Sequence, residues 1–298
     1  MARSEEEVRE ILESRFGGGL TACHDLLAFV DSQMADWKGR AVDHGADLII
    51  LAELARTLKT ARAALMLCRQ GYGEQAAMLS RSLFEGMAVA HWVHANPDEA
   101  LDRFEKHGRH TALVFSDALV RQEWVEEWPV EVPPATDAER KHLVGMFGPY
   151  GERGWCTPGS LRKLVEAIAD QWPDAASRAE LRAYLDVPHR FHNKLLHATF
   201  TALNASARES AQADVSFVAG PSEQLVPNSL LSVHWTLGQT FSLIYDRFAL
   251  PDRDAFDTRY GAARRAFIHL SAEDLRGVGR NDLCPCTSGL KFKRCHGA

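Results

Sequence analysis

Apolar residues recur at every third or fourth position from the start of the chain to about residue 125, and this helical spacing constrains the fold more than any other feature. Alanine and leucine, both strong helix formers, dominate the stretch from about 45 to 70. The turn Gly71-Tyr72-Gly73 separates it from a second helix at 74–94, and Pro97 begins a third that runs to about Trp124. The pattern predicts an all-α fold, a multi-helix bundle.

The first helix is expected to be short. Ser4 and Glu7 have the spacing of a capping box, in which each side chain bonds the backbone N–H of the other. The run Gly17-Gly18-Gly19 predicts an end to this helix, and Thr21 can cap the next one.

Proline and glycine break the helical period between 125 and 160, although 136–147 can form a helix within that region. Asp186 is predicted to cap a later helix that has Pro188 in its first turn. The helices predicted after residue 160 cover 160–171, 174–185, 188–205, 228–248 and 253–269.

Two short β-favouring pieces flank Gly220-Pro221 between 214 and 226, and they allow a minor hairpin beside the helices. The predicted organisation is an α-helical bundle domain at 1–270, a linker at 271–280 and a small zinc knuckle at 281–298.

The composition is that of a soluble globular protein, with 46% hydrophobic and 25% charged residues. A formal net charge of -6 argues against attraction of the whole surface to nucleic acid or anionic lipid. The acidic N-terminal stretch does not resemble a secretory signal, and no apolar run is long enough to span a bilayer. A cytoplasmic protein without a membrane span is therefore expected.

The last eighteen residues hold the clearest chemical signal. Cys284 and Cys286 form a C-x-C, and Cys295 and His296 follow after eight residues. Three thiolates and an imidazole fill the tetrahedral shell of Zn²⁺ and leave no position for water or substrate. We expect one structural zinc ion per chain, without which so short a segment could not fold.

This tail resembles the SEC-C motif in its Gly279-Arg280-Asn281-Asp282 start, its C-x-C, its Lys291-Phe292-Lys293 stretch and its Cys295-His296-Gly297 end. The family's zinc knuckle occurs at the C-terminus of the bacterial translocation ATPase SecA and at the ends of many unrelated bacterial proteins. In SecA the knuckle is implicated in contacts with the chaperone SecB and the ribosome. The resemblance therefore implies docking to a protein or ribosomal partner.

Arg190 and His197 are separated by nearly two helical turns, so on a continuous helix they share one face with Asn193 and Lys194. Such a stripe is either a solvent-facing line or the floor of a groove. It resembles the R-x4-6-H signature of HEPN domains, helical toxin- or defence-type ribonucleases that cut RNA without metal at a homodimer seam. That resemblance implies a phosphate-binding role for Arg190 and acid or base catalysis by His197.

Two other pairs lie on the predicted helix at 74–94. Arg81 and Glu85 are one turn apart on an otherwise apolar helix, and they form either an internal ion pair or part of the same cleft as Arg190. His91 and His94 have a spacing that metal ligands use, but no nearby carboxylate completes a set, so structural histidines are expected.

The body, over about 45–205, also resembles an uncharacterised family of bacterial helical proteins that sometimes carry a SEC-C tail, which implies no established activity. The common nucleotide-binding and hydrolase motifs are absent from the sequence. The leading hypothesis is a zinc-binding protein whose knuckle docks a partner to a helical domain. The alternative is the HEPN-type ribonuclease, so the sequence leaves open whether the chain is an enzyme.

Overall fold

A computed structural model describes residues 4–35, 42, 44–121, 132–151, 153–157, 159–172, 174–197, 199, 202, 207–209, 215–217, 219–267, 278–282 and 293. The α-helices are α1 (Glu5–Ala35), α2 (Gly45–Arg69), α3 (Gly73–Ala95), α4 (Pro97–Arg121), α5 (Asp137–Phe147), α6 (Leu161–Ala169), α7 (Ala175–Tyr184), α8 (Arg190–Leu196), α9 (Val226–Phe248) and α10 (Arg253–Phe267). A π-helical turn, Leu185–His189, joins α7 to α8. The predicted all-α fold is confirmed.

Helix α1 begins as predicted but does not stop at the glycines. Ser4 Oγ accepts from the Glu7 backbone N–H at 3.2 Å, and the Glu7 carboxylate accepts from the Ser4 N–H at 2.7 Å, which completes the capping box. The helix then continues through Gly17-Gly18-Gly19 to Ala35, so the predicted break is wrong. Packing explains the difference. Leu20 and Cys23 are buried, and further apolar residues beyond them extend the same buried face. The burial of this face outweighs the low helix propensity of glycine.

The core lies where α2, α3 and α9 pack against one another, with α1 and α10 paired on one side. Helix α9 is buried on most of its circumference, including the polar residues Ser229, Thr236 and Thr240, whose hydroxyls donate to backbone carbonyls. Asp47 at the start of α2 is buried, and Arg247 Nε donates to its carboxylate at 2.8 Å. This ion pair ties the ends of two core helices together.

The turn between α2 and α3 fixes the start of α9. Gly71 has a positive φ of 83° and its carbonyl accepts from the Ser222 N–H at 2.8 Å. At Gly73 a Cβ atom would lie 2.2 Å from the Gln224 carbonyl oxygen, so only glycine permits this approach of two backbones. The segment after Gly220 is therefore bound to a helical turn rather than to a strand.

A minor hairpin is present, but not at the predicted turn. Strand β1 (Ala207–Glu209) pairs antiparallel with β2 (Val215–Phe217), with Arg208 opposite Ser216. The predicted reversal at Gly220-Pro221 is wrong, because the residues beyond it contact the α2–α3 turn instead.

The helix predicted at 188–205 has different limits. The helical backbone continues from α7 through Leu185–His189, so Asp186 and Pro188 lie inside a π-helical turn and not at a helix start. A π turn accommodates the proline, whose missing N–H and bulky ring disrupt an ordinary α-helix. Helix α8 then ends at Leu196, and His197 already has extended backbone angles (φ -97°, ψ 150°).

Helices α4 and α5 form a small second core of Leu113, Leu143 and Phe147 beside the main one.

None of the helices in the described ranges combines the length and the apolar character needed to cross a bilayer.

Candidate functional site

An open groove of about 610 Å³ lies where the π-helical turn and α8 meet the start of α6, and we call it the α8 groove. Leu161, Leu185, Val187 and Phe191 form its apolar wall. Its polar residues are Arg162, Asp186, His189, Arg190, Asn193 and Lys194. The lining of the groove therefore combines hydrocarbon with cations and hydrogen-bonding groups.

Two arginines of the groove share one carboxylate. Arg162 forms a close ion pair with Asp186, and Arg190 Nη2 lies 3.6 Å from the same Asp186 oxygen. The Arg162 guanidinium, followed by the charge of Arg190, holds the pKa of Asp186 below its usual value. Lys194 adds a third cation and forms no ion pair with any residue in the described ranges. Since Arg190 is 63% exposed, it retains donors for a ligand.

Beneath the groove, Glu85 of α3 holds His189 in place. Glu85 Oε1 accepts from Arg81 Nε at 2.7 Å and lies 3.2 Å from His189 Nε2. Partial burial by itself raises the pKa of Glu85, but the hydrogen bonds from His189 and Arg81, together with their charges, outweigh it and leave the pKa lowered. Arg81 and Glu85 thus form the internal ion pair, and they reach the groove through His189.

The structure separates the two residues of the predicted catalytic pair. Arg190 and Asn193 line the α8 groove, whereas His197 lies beyond the end of α8, is exposed and is not part of the lining. The shared helix face expected for Arg190 and His197 is wrong, because the helix ends before His197. The catalytic role of the two residues stays a prediction.

The two histidines of α3, His91 and His94, lie in surroundings that disfavour their charged forms. Burial of the ring lowers the pKa of His91 to about 4 and also lowers that of His94. Across the part of the chain that the structure describes, no group of three or more His, Cys, Asp and Glu side chains is arranged to hold a metal. Burial also raises the pKa of the Cys68 and Cys156 thiols to about 12, so neither thiol is activated.

The predicted zinc ligands Cys284, Cys286, Cys295 and His296 lie outside the described residues. The structure does describe the segment that leads into them. The Gly279 N–H donates to the Asp282 carboxylate at 2.7 Å, and the Asp282 N–H donates to the Gly279 carbonyl at 2.9 Å. The Lys293 N–H donates to the Arg280 carbonyl at 3.1 Å, so these two residues are in contact.

The model of a family of unknown function, DUF5677, matches residues 47–213, more than half of the chain. The chain is a member of DUF5677. This match spans α2 to α8 and therefore includes the α8 groove and the Glu85–His189 pair. The model of the SEC-C motif matches residues 280–298 of this DUF5677 protein, which confirms the resemblance of its tail. No solved structure matches the chain.

The curated relatives match a short segment of this DUF5677 protein, and they are protein translocase subunits SecA. The SecA of Paraburkholderia phytofirmans is 53% identical over 38 residues, which is 13% of this chain and 4% of the SecA chain. The SecA of Cupriavidus pinatubonensis is 48% identical over 56 residues (18% and 6%), and that of a Nocardioides species is 68% identical over 25 residues (8% and 3%). The similarity covers the SEC-C end of SecA and not its translocase body.

His189 was not among the predicted site residues, and Asp186 lies inside the π-helical turn and not at the helix start predicted for it. Asp186 and Arg190 are one helical turn apart, and this spacing was a local signal for their ion pair. The pair forms only if the helix continues through Pro188, whereas the sequence predicted that a helix begins there. No local signal marked His189, because its partner Glu85 is on a different helix.

Proposed function

We propose that this protein joins a DUF5677 helical body to a SEC-C knuckle that folds around one structural zinc ion and docks a protein or ribosomal partner. The observation that supports the proposal is the SEC-C match over 280–298, which contains the four ligands Cys284, Cys286, Cys295 and His296. The Lys293–Arg280 hydrogen bond agrees with it, because the chain must reverse for the second pair of ligands to meet the first. SEC-C motifs in general bind zinc.

A complete shell of three thiolates and one imidazole gives a structural ion, so the product of metal binding is a folded surface and not a catalytic centre. The surface is expected to be cationic, since Arg280, Lys291, Lys293 and Arg294 surround the ligands in the sequence. The domain limits that this proposal uses are 1–270 for the body, 271–280 for the linker and 281–298 for the knuckle, in a cytoplasmic protein.

Metal analysis of the full-length protein, purified without chelator, tests the zinc site. We expect about one zinc per chain, and its loss in Cys284→Ala and in Cys295→Ala. Cys156→Ala is the matched control, because this thiol lies outside the SEC-C match and should leave the zinc content unchanged. Zinc-free wild-type protein would overturn the proposal.

Docking is tested by co-sedimentation with purified ribosomes and by binding to purified SecB. Wild type and Cys156→Ala should bind one of them, whereas Cys295→Ala should bind neither. Binding that survives the loss of zinc, or no binding to either partner, would contradict a docking knuckle.

A HEPN-type, metal-independent ribonuclease is the second candidate, because Arg190 lies on an open groove instead of in the packed core. Since His197 is outside that groove within one chain, this function requires a second copy of the chain to complete the site. The expected results are a homodimer in solution and RNA cleavage that survives EDTA but is lost in Arg190→Ala and in His197→Ala. A monomer, or cleavage that His197→Ala retains, would rule this candidate out.

A further inference from the structure

The α8 groove has an excess of positive charge at one end. Arg162 and Arg190 share the single carboxylate of Asp186, so one of their two charges is not balanced there. Lys194 brings a second unbalanced charge to the same surface. Each guanidinium presents five donors in a fixed plane and uses few of them on Asp186. The groove is therefore suited to an anion with about two negative charges and several acceptor oxygens.

His189 gives this anion site a hydrogen-bonding group of fixed orientation. Its Nε2 faces Glu85 at 3.2 Å, and the carboxylate favours a proton on that nitrogen. The ring also packs against Phe84, with centroids 5.4 Å apart and the ring planes tilted by 45°, so it cannot rotate freely. Nδ1 is then an acceptor, which suits a hydroxyl group of a ligand and not its phosphate.

The apolar wall of the groove sets the rest of the ligand. Leu161, Leu185, Val187 and Phe191 offer hydrocarbon and one aromatic ring beside the cations. Asn193 adds both an amide donor and an acceptor, which suits hydroxyl groups. The volume of about 610 Å³ lies within the range of small-molecule sites.

We propose that the α8 groove binds a phosphate monoester with a flat apolar body, of the nucleoside 5′-monophosphate class. The phosphate lies among Arg162, Arg190 and Lys194, and His189 Nδ1 accepts from a hydroxyl group of the ligand. The body of the ligand lies against Val187 and Phe191. A phosphate monoester carries close to two negative charges at neutral pH, which matches the excess on the groove. The site needs neither the zinc ion nor His197, so it does not depend on the docking knuckle, and it shares only Arg190 with the ribonuclease candidate.

The test is calorimetric titration of the full-length protein with each of the four ribonucleoside 5′-monophosphates, the four unphosphorylated nucleosides and inorganic phosphate. We expect at least one monophosphate to bind at least tenfold more tightly than both its nucleoside and inorganic phosphate, because it alone contacts both the cations and the apolar residues of the groove.

Arg162→Gln, Arg190→Gln and Lys194→Gln should each weaken that binding by about tenfold, the effect of losing one hydrogen bond to a charged group. Arg182→Gln is the matched control, because Arg182 forms a comparable exposed ion pair with Glu166 but does not line the groove. Circular dichroism establishes that each variant is folded, and Lys194, which is exposed on α8, provides a variant with no ion pair to lose.

Nitrogen-15 spectra of the histidine rings provide an independent readout. In the free protein, the hydrogen bond to Glu85 should keep a proton on His189 Nε2, and the bound monophosphate should shift the Nδ1 resonance through a hydroxyl group that donates to it. The same shift should be absent with the matching nucleoside.

The proposal fails if no monophosphate binds, if the nucleosides or inorganic phosphate bind as tightly, or if Arg190→Gln binds as well as Arg182→Gln. It also fails if a hexaglutamate peptide binds and the monophosphates do not, since the groove would then be a site for acidic peptides.

Discussion

Glu85 Oε1 lies 3.2 Å from His189 Nε2 and accepts from Arg81 Nε at 2.7 Å, so one carboxylate oxygen on α3 joins the helix to the π-helical turn. The contact links the packed core to the cationic α8 groove. The turn that contains Pro188 is thus anchored from below, which keeps the groove residues in a fixed arrangement.

Glu85→Gln should lower stability in a pH-dependent way. Because the folded-state pKa of Glu85 is lowered, its stabilisation is present above the pKa of an unfolded glutamate, about 4.5, and is lost as the pH falls through the folded value. Solvent reaches more than a third of this side chain, so we expect a loss of only about 1 kcal/mol at pH 7. Urea unfolding at about pH 7 and about pH 3.5 measures both limits.

The difference between Glu85→Gln and wild type should shrink at the lower pH, because Glu85 becomes protonated as the pH falls through its lowered folded-state pKa. Glu105→Gln is the control, because Glu105 is exposed on α4 and forms no ion pair with a described residue. A difference that stays constant at both pH values would contradict an electrostatic role for Glu85.

Asp47→Ala should be among the most destabilising single changes in the chain. It removes the buried partner of Arg247 and the acceptor that caps the His44 N–H at 3.2 Å. Breaking a buried pair leaves an unbalanced charge, so we expect a loss of about 3 kcal/mol. Asp102→Ala, which breaks an exposed pair with Lys106, should cost less than about 0.5 kcal/mol. Equal losses in thermal or urea unfolding would refute this ranking.

Local sequence signals predicted the helices well where the signals themselves were complete. Glycine in the turn accounts for the end of α2 just before Gly71 and for the start of α3 at Gly73. Asp174 and Thr136 cap α7 and α5 through their own side chains. These features depend on residues a few positions apart, so the sequence alone contains them.

Features that depend on packing between helices could not be predicted in this way. The continuity of α1 through Gly17-Gly18-Gly19 reflects burial against other helices, and the pairs Asp47–Arg247 and Glu85–His189 join residues on different elements. The same holds for the candidate site: Arg190 was identified from its helix, whereas its grouping with Arg162 and His189 required the fold.

Gly73→Ala should destabilise the protein although alanine is the better helix former. The added methyl group would meet the Gln224 carbonyl oxygen and the Val226 backbone nitrogen, at 2.2 and 2.5 Å, and backbone atoms cannot move aside cheaply. We expect a loss of at least about 2 kcal/mol. Gly108→Ala, in the middle of α4 with open space around it, should instead gain about 0.5 to 1 kcal/mol. Thermal unfolding of both variants gives the comparison, and effects of the same sign would show that the close approach is absent.

His192 should make the protein lose stability as the pH falls from about 6.5 to about 4. The side chain is only 2% exposed, and burial, with the nearby His189, lowers its pKa from 6.5 to about 4. In this window the unfolded histidine binds a proton that the folded one does not, so the free energy of unfolding decreases as the pH is lowered. The full effect is about 3 kcal/mol, at about 1.4 kcal/mol for each pH unit.

His192→Gln removes the titrating group and should reduce the pH dependence of the free energy of unfolding by that amount across the same window. The lost packing of the imidazole lowers stability equally at every pH, so the slope and not the offset carries the information. His142→Gln, at an exposed position of α5, is the matched control and should leave the slope as in wild type. Parallel curves for wild type and His192→Gln would show that His192 is protonated in the folded protein as readily as in the unfolded chain.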